Sequence, residues 1–265
     1  LLHAELLGRP TDHGITIQTI FSDSAQVRVL YGVTSGAYTD VTPWYTFGPD
    51  EPAEVTIYGL SPDTRYYYCV LHRQPGDTIT INRAEHTFHT QRVQGSTFTF
   101  VVQADPHLDE QSDTALYRLC LNNQLDDAPD FMVDLGDFLM SDKLRNGSNQ
   151  VPQDTVPYRC ELLRSYYDEV CHSMPLFNVL GNHEGETGWY RDGTADNLAI
   201  WSTNERKKYF LNPSPDAFYS GDTTVHAFTG LSERYYAWPW GDALFIVLDP
   251  YWNTKIGRAS CRERV

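Results

Sequence analysis

Three apolar runs, each closed by side chains able to bind a metal, constrain this chain more than any other feature. FTFVVQAD (98–105), FMVDLGD (131–137) and PLFNVLGN (175–182) lack the polar alternation of a half-buried strand. Continuous runs of this kind suit parallel strands covered on both faces. The first ends in Asp105-Pro106-His107, the second in Gly136-Asp137, the third in Gly181-Asn182-His183-Glu184. Helical patterns lie between them. Leu116, Leu119 and Cys120 fall at i, i+3 and i+4, with Ser112 or Asp113 able to cap the start. Leu162, Leu163, Tyr166, Tyr167 and Val170 share a face of a longer helix, and Pro157 suits its first turn. Strand, helix, strand, helix, strand predicts a right-handed parallel α/β unit. Ligands of such sheets bind at the carboxyl ends of the strands. Neighbouring ends would bring Asp105, His107, Asp137 and Asn182 together. Carboxylates crowded in this way repel, and a divalent cation relieves the repulsion. Oxygen and imidazole donors without thiolates suit Zn, Mn or Fe.

The N-terminal third has a different period. From about residue 12 to 92 apolar residues alternate: Val27, Val29, Tyr31 and Val33, then Val55 and Ile57, then Tyr66, Tyr68 and Val70. Turn-forming SPD (61–63) and QPGD (74–77) separate the runs. Short strands at this spacing predict a β sandwich. His86 and His89, flanking Phe88, read as surface residues, and His172 reads as the end of a helix. Residues 184–230 read as irregular, and 234–249 as two strands around Trp240-Gly241-Asp242. Asp249 either lines a pocket or closes a turn before Pro250.

With 20 Lys and Arg against 35 Asp and Glu, the net charge of −15 argues against a non-specific nucleic-acid binder. Hydrophobic residues, 41% of the chain, suffice for a core, and no apolar run is long enough to span a bilayer. The chain opens on Leu1 without a leader-like segment. Ile256 to Val265, IGRASCRERV, resemble the translation of a sequencing-adapter read-through and are expected to lie outside the fold; a genuine basic tail is the alternative. Without their three Arg and one Glu the charge becomes −17. Cys69, Cys120, Cys160 and Cys171 remain; none forms a Cys-x-x-Cys pair, and small buried apolar roles are expected.

Asp-x-His, Gly-Asp and Gly-Asn-His-Glu, in this order and each after an apolar strand, resemble the calcineurin-like metallophosphoesterase superfamily over residues 94–250. GLSPDTRYYYCV, with Leu60, Pro62, Thr64 and Tyr66, resembles the fibronectin type III pattern, in which the tyrosine hydroxyl bonds back to close a corner. A fibronectin-like domain also precedes the catalytic domain of some members, purple acid phosphatases among them. The resemblance implies a β sandwich over 1–93, then the first half of a four-layer αββα catalytic domain over 94–255. It implies hydrolysis of phosphate esters at a dinuclear centre of Fe, Zn or Mn with a metal-bound hydroxide nucleophile. Asp105 and His107 would bind the first metal, Asp137 would bridge both, and Asn182 would bind the second. His183 would be the proton donor or phosphate contact, and Glu184 would support the site. Two metals about 3.5–4 Å apart can clamp a phosphoryl group for in-line attack.

The pattern also departs from the family. Purple acid phosphatases carry Asp-x-Gly at the first motif and a tyrosine three residues after the bridging Asp; here His107 and Met140 stand there. The Asp that many relatives place at that second position to orient the catalytic His is missing, with Asp142 close by. The family's later histidines and its Gly-His-x-His are not found. The natural protein is therefore expected to continue past Thr254 or Lys255 and to supply three more ligands, leaving this fragment inactive alone. Small phosphomonoesters or diesters are the expected substrates, without a nucleic-acid partner or a membrane span, and the compartment implied is extracellular or periplasmic. The rival expectation is a non-catalytic binding or adhesion module carrying a degenerate phosphoesterase domain.

Overall fold

The computed structural model describes residues 1–254; the 256–265 string lies outside the described residues. Eight strands come first: β1 (His3–Gly8), β2 (Gly14–Ile20), β3 (Ala25–Gly32), β4 (Asp40–Val41), β5 (Tyr45–Phe47), β6 (Pro52–Tyr58), β7 (Arg65–Arg73) and β8 (Ile81–His89). They form antiparallel sheets ordered β1-β2-β6 and β4-β3-β7-β8, with β5 beside β3. The period of two aims Val27 and Val29, Val55 and Ile57, and Tyr66, Tyr68 and Val70 into one apolar cluster with Ile15, Ile17 and Phe88. Val33 lies past the end of β3 and is exposed. The Tyr66 hydroxyl accepts the Ser61 N–H at 2.9 Å, tying the turn to the strand that follows it.

The second region follows as β9 (Phe100–Gln103), α1 (Thr114–Asp126), β10 (Phe131–Asp134), α2 (Val156–Tyr167), β11 (Leu176–Asn178), α3 (Leu198–Tyr209), β12 (Ser220–Gly221), β13 (Tyr236–Trp240) and β14 (Ala243–Val247). The parallel sheet has the order β11-β10-β9, and β12-β13-β14 form a second, antiparallel sheet. Met132 and Leu176 face a helix-side cluster with Leu121, Leu163, Tyr167 and Phe210. On the other face Phe131, Val133 and Phe177 meet Tyr236, Trp238, Trp240 and Val247. The Phe177 and Trp238 rings stack with centroids 4.0 Å apart. Helices, parallel sheet and second sheet thus make three layers, and all three parallel strands point their carboxyl ends the same way.

Several local expectations change. β9 lies at the edge of its sheet, and the face bearing Phe100 and Val102 is left largely uncovered while Val101 packs against the helix-side cluster. Asp113 does cap α1, accepting the N–H groups of Ala115 and Leu116. Its buried face is Tyr117, Leu121 and Leu125, however, while Leu116, Leu119 and Cys120 face outward. The stretch read as irregular contains α3. That helix buries Ser202, Thr203 and Arg206 beside Leu198 and Tyr209, so its inward face is half polar and carries no apolar stripe.

The two regions meet through buried polar contacts. Arg164 of α2, fully buried, donates to the carbonyls of Ala4, Gln18 and Tyr209 and to the Asp168 carboxylate. Leu7 N–H donates to the Cys171 carbonyl at 2.9 Å, and the Tyr68 hydroxyl to that of His172 at 2.7 Å. His89 is buried, and His86 stacks on His172 with ring centroids 3.9 Å apart; neither is the surface residue the sequence suggests. Burial, then the adjacent His172, hold the His86 pKa down at about 4, and burial also lowers that of His172.

Two outcomes are expected. Tyr66→Phe should cost about 1 kcal/mol in urea unfolding, the net worth of one hydrogen bond. For His86 and His172 the folded pKa lies below the ordinary 6.5, so the unfolded chain takes up protons first as pH falls. The melting temperature should therefore drop from pH 7 to pH 5, and His86→Phe should flatten that profile; parallel profiles would contradict the assignment.

Candidate metal centre

The loops leaving the strands carry a concentration of left-handed backbone. Asp105 (φ 53°), His107 (51°), Leu108 (46°), Asp137 (52°) and Met140 (53°) all lie there without being glycine. Such residues cost of order 1–3 kcal/mol each and persist only where their surroundings hold them. Arg159 of α2, 7% exposed, supplies part of that hold. Its guanidinium donates to the carbonyls of Leu139 at 2.6 Å, Leu108 at 3.1 Å and His107, joining the first two loops. Glu184 joins the second and third. It is fully buried and accepts the N–H groups of Phe138 at 2.8 Å, Leu139 at 3.2 Å and Gly181. Burial, then the neighbouring Asp137, push its pKa up to about 8, against the pull of those donors.

The glycines set how closely the loops approach. Gly136 has φ 104°, and a Cβ on it would sit 2.2 Å from the Gly181 nitrogen. A Cβ on Gly181 would sit 2.2 Å from Asp137 Oδ1. No side chain fits at either position without parting the loops.

Asp105, His107 and Asp137 each bring a potential ligand atom within 4.8 Å of the others'. His107 Nε2 is 3.5 Å from Asp105 Oδ1 and 3.9 Å from Asp137 Oδ2. Asp105 is open to solvent and Asp137 buried, so the cluster has one accessible side. His183 completes the rim. Its N–H donates to Asp137 Oδ1 at 3.0 Å, and its Nε2 lies 4.0 Å from Asp137 Oδ2. Asn182 is half-buried between Gly181 and His183, whose N–H groups are held by Glu184 and Asp137.

The sequence assigns no role to two contributors, Asp142 and Arg159. Asp142, fully buried on the 3₁₀ turn Ser141–Lys143, places Oδ1 2.9 Å from His183 Nδ1. The orienting carboxylate missing at Met140 thus arrives two residues later, because left-handed Met140 starts a tight turn that swings Asp142 inward. Burial, opposed by Asp137, holds the His183 pKa below its ordinary value. Arg159 had no sequence signature beyond a place on a helix. Asp249 closes a turn: it accepts the Tyr251 and Trp252 N–H groups and pairs with Arg234 at 3.0 Å.

A model of the calcineurin-like phosphoesterase family matches residues 98–251, more than half of the chain. The chain belongs to that family. Its metallophosphoesterase domain therefore comprises the parallel sheet, the helices and the second sheet. No curated protein matches the sequence significantly. Among solved structures, that of PhoD matches at TM-score 0.61 and 14% identity, over 95% of this chain and 52% of that one. Purple acid phosphatase PPD1 from yellow lupin (Lupinus luteus) seeds matches at TM-score 0.65 and 16% identity, over 92% of this chain and 44% of that one. At such identities the likeness is one of fold, and the chain spans about half of each structure's length.

The donor set fits a divalent cation of the family: hard carboxylate oxygens with one imidazole, gathered where strand ends converge. Gly181→Ala should displace the Asp137 carboxylate and weaken Mn²⁺ or Zn²⁺ binding by at least tenfold in calorimetric titration, comparable to loss of ligand support. Wild-type affinity in that variant would contradict the close approach.

Proposed function

We propose that this protein hydrolyses phosphate esters at a pair of cations held by Asp105, His107, Asp137 and Asn182. The observation that carries the proposal is the grouping of Asp105, His107 and Asp137 with the His183–Asp142 pair beside it. Asp105 and His107 would serve the first cation, Asp137 both, and the Asn182 side-chain carbonyl the second, with Fe, Zn or Mn as candidates. Such ions supply a water of lowered pKa and neutralise phosphoryl charge.

The chain's own residues do the rest. Asp142 accepts from His183 Nδ1, which fixes the ring's orientation and leaves Nε2 on the side of Asp137. Nε2, on the Asp137 side, then delivers a proton to the departing alkoxide, a strong base that leaves poorly without one. Glu184 and Arg159 hold the loops so that these groups need not reorganise during reaction.

The reading extends to the rest of the chain. The N-terminal sheets are taken as a fibronectin-like domain over 1–93 and the phosphoesterase as 94–255, the first half of an αββα fold. An extracellular or periplasmic setting and small phosphomonoester or diester substrates go with it.

Full-length protein should contain two equivalents of transition metal and hydrolyse aryl phosphates. Asp137→Asn should lose metal and activity together. His183→Ala should keep its metal and lose roughly 10²–10⁴ in kcat, and Asp142→Asn should shift the acidic side of the pH–rate profile. Full-length protein that binds no metal and hydrolyses no ester would sink the reading in favour of a binding module.

A further inference from the structure

We infer that a cavity beside His107 seats the leaving group of the ester and selects one that carries a second anionic group, paired by Lys143. This inference rests on the function proposed above and adds a substrate class to it. The cavity has a volume of about 220 Å³ and is lined by His107, Asp109, Met140, Lys143, Leu144 and Arg159. His107 belongs to the cation cluster, so a phosphoryl group held there has this space directly beside it. The volume admits a single ring or a short carbon chain, not a polymer.

The walls have a definite character. Met140 is buried and Leu144 half-buried, which suits an apolar frame. Two cations close the rest. Arg159 spends its donors on three carbonyls, and among the described residues no carboxylate lies within ion-pair distance of it. Hydrogen bonds to carbonyls leave its positive charge in place, and the charge it feels in the lining is that of Asp109. Lys143 has no ion-pair partner among the described residues, and it is an exposed residue of the cavity wall. Asp109 is the one carboxylate in the lining; its Oδ1 accepts the Gln111 N–H at 3.0 Å and the Ser112 hydroxyl at 3.2 Å, and it sets one negative charge against Arg159. Two cations against one carboxylate leave the lining one positive charge in excess, and in a chain of net charge −15 that excess suits an anion from outside, with Lys143 as its partner. A ligand with an apolar body and an anionic tip satisfies both kinds of wall.

The test compares phenyl phosphate with 3-carboxyphenyl phosphate, whose leaving phenols are of similar acidity, on Mn²⁺-loaded full-length protein. The carboxylated ester should have the higher kcat/KM, by roughly fivefold for a partly exposed ion pair, chiefly through KM, and the preference should shrink as NaCl screens it. Lys143→Gln should bring the ratio towards one, and Lys143→Arg should retain it. A second readout needs no turnover. In metal-free protein carrying ¹³C-methyl methionine, 3-hydroxybenzoate should shift the Met140 methyl signal saturably, and the shift should vanish in Lys143→Gln. Equal kcat/KM for the two esters, or a preference that survives Lys143→Gln, overturns the inference. If neither ester is hydrolysed, the proposed function fails, while the Met140 titration still decides whether the cavity takes the anion.

Discussion

The close approach of Gly136 to Gly181 is the contact on which the rest of the site depends. With a Cβ at either position only 2.2 Å from an atom of the facing loop, the loops after β10 and β11 can meet only as glycine backbones. That meeting lets Asp137 accept the His183 N–H and lets Glu184 reach back to Phe138, Leu139 and Gly181. A carboxylate, an imidazole and their backbone supports are brought together by removing side chains rather than by adding contacts.

Buried charge does work here that apolar packing could not. Arg159, Arg164 and Glu184 each sit in the interior and spend their hydrogen-bonding capacity mainly on backbone groups. Burial of such groups is expensive unless their bonds are made, so a displaced loop would strand a charge. Apolar contacts tolerate sliding; a fork of donors aimed at particular carbonyls does not. Arg159 thereby holds two loops that contain left-handed residues, and Arg164 holds the N-terminal sheet against α2. The position of the loops that carry His107 and Asp137 and the seating of the N-terminal region both trace to helix α2.

The errors of the sequence reading share a cause. The run 98–105 has the composition of a covered strand, yet β9 lies at an edge, and composition does not encode how many neighbours a strand receives. In α1 the spacing of Leu116, Leu119 and Cys120 is as regular as that of Tyr117, Leu121 and Leu125; which set turns inward depends on where the sheet lies. Helix α3 has no apolar stripe in the sequence because its buried face includes Ser202, Thr203 and Arg206, the last two bonded to Glu186 from the preceding loop. His86 and His89 read as polar, and only tertiary packing covers them: His172, beyond the end of α2, stacks on His86, and Asp63 and Arg92 lie beside buried His89.

The order of apolar runs and the polar residues that close them was legible from the chain alone. Period-two alternation, uninterrupted runs and strand-terminal Asp, His and Asn residues are local patterns, and they sufficed for the β region, the parallel unit and the donors Asp105, His107 and Asp137. Folding decided which carboxylate serves His183, which arginine clamps the loops and where a cavity opens beside His107. Those depend on atoms that meet across tens of residues, as Asp142 does with His183 and Arg159 with His107, and a pairing across that distance leaves no periodic trace in the sequence.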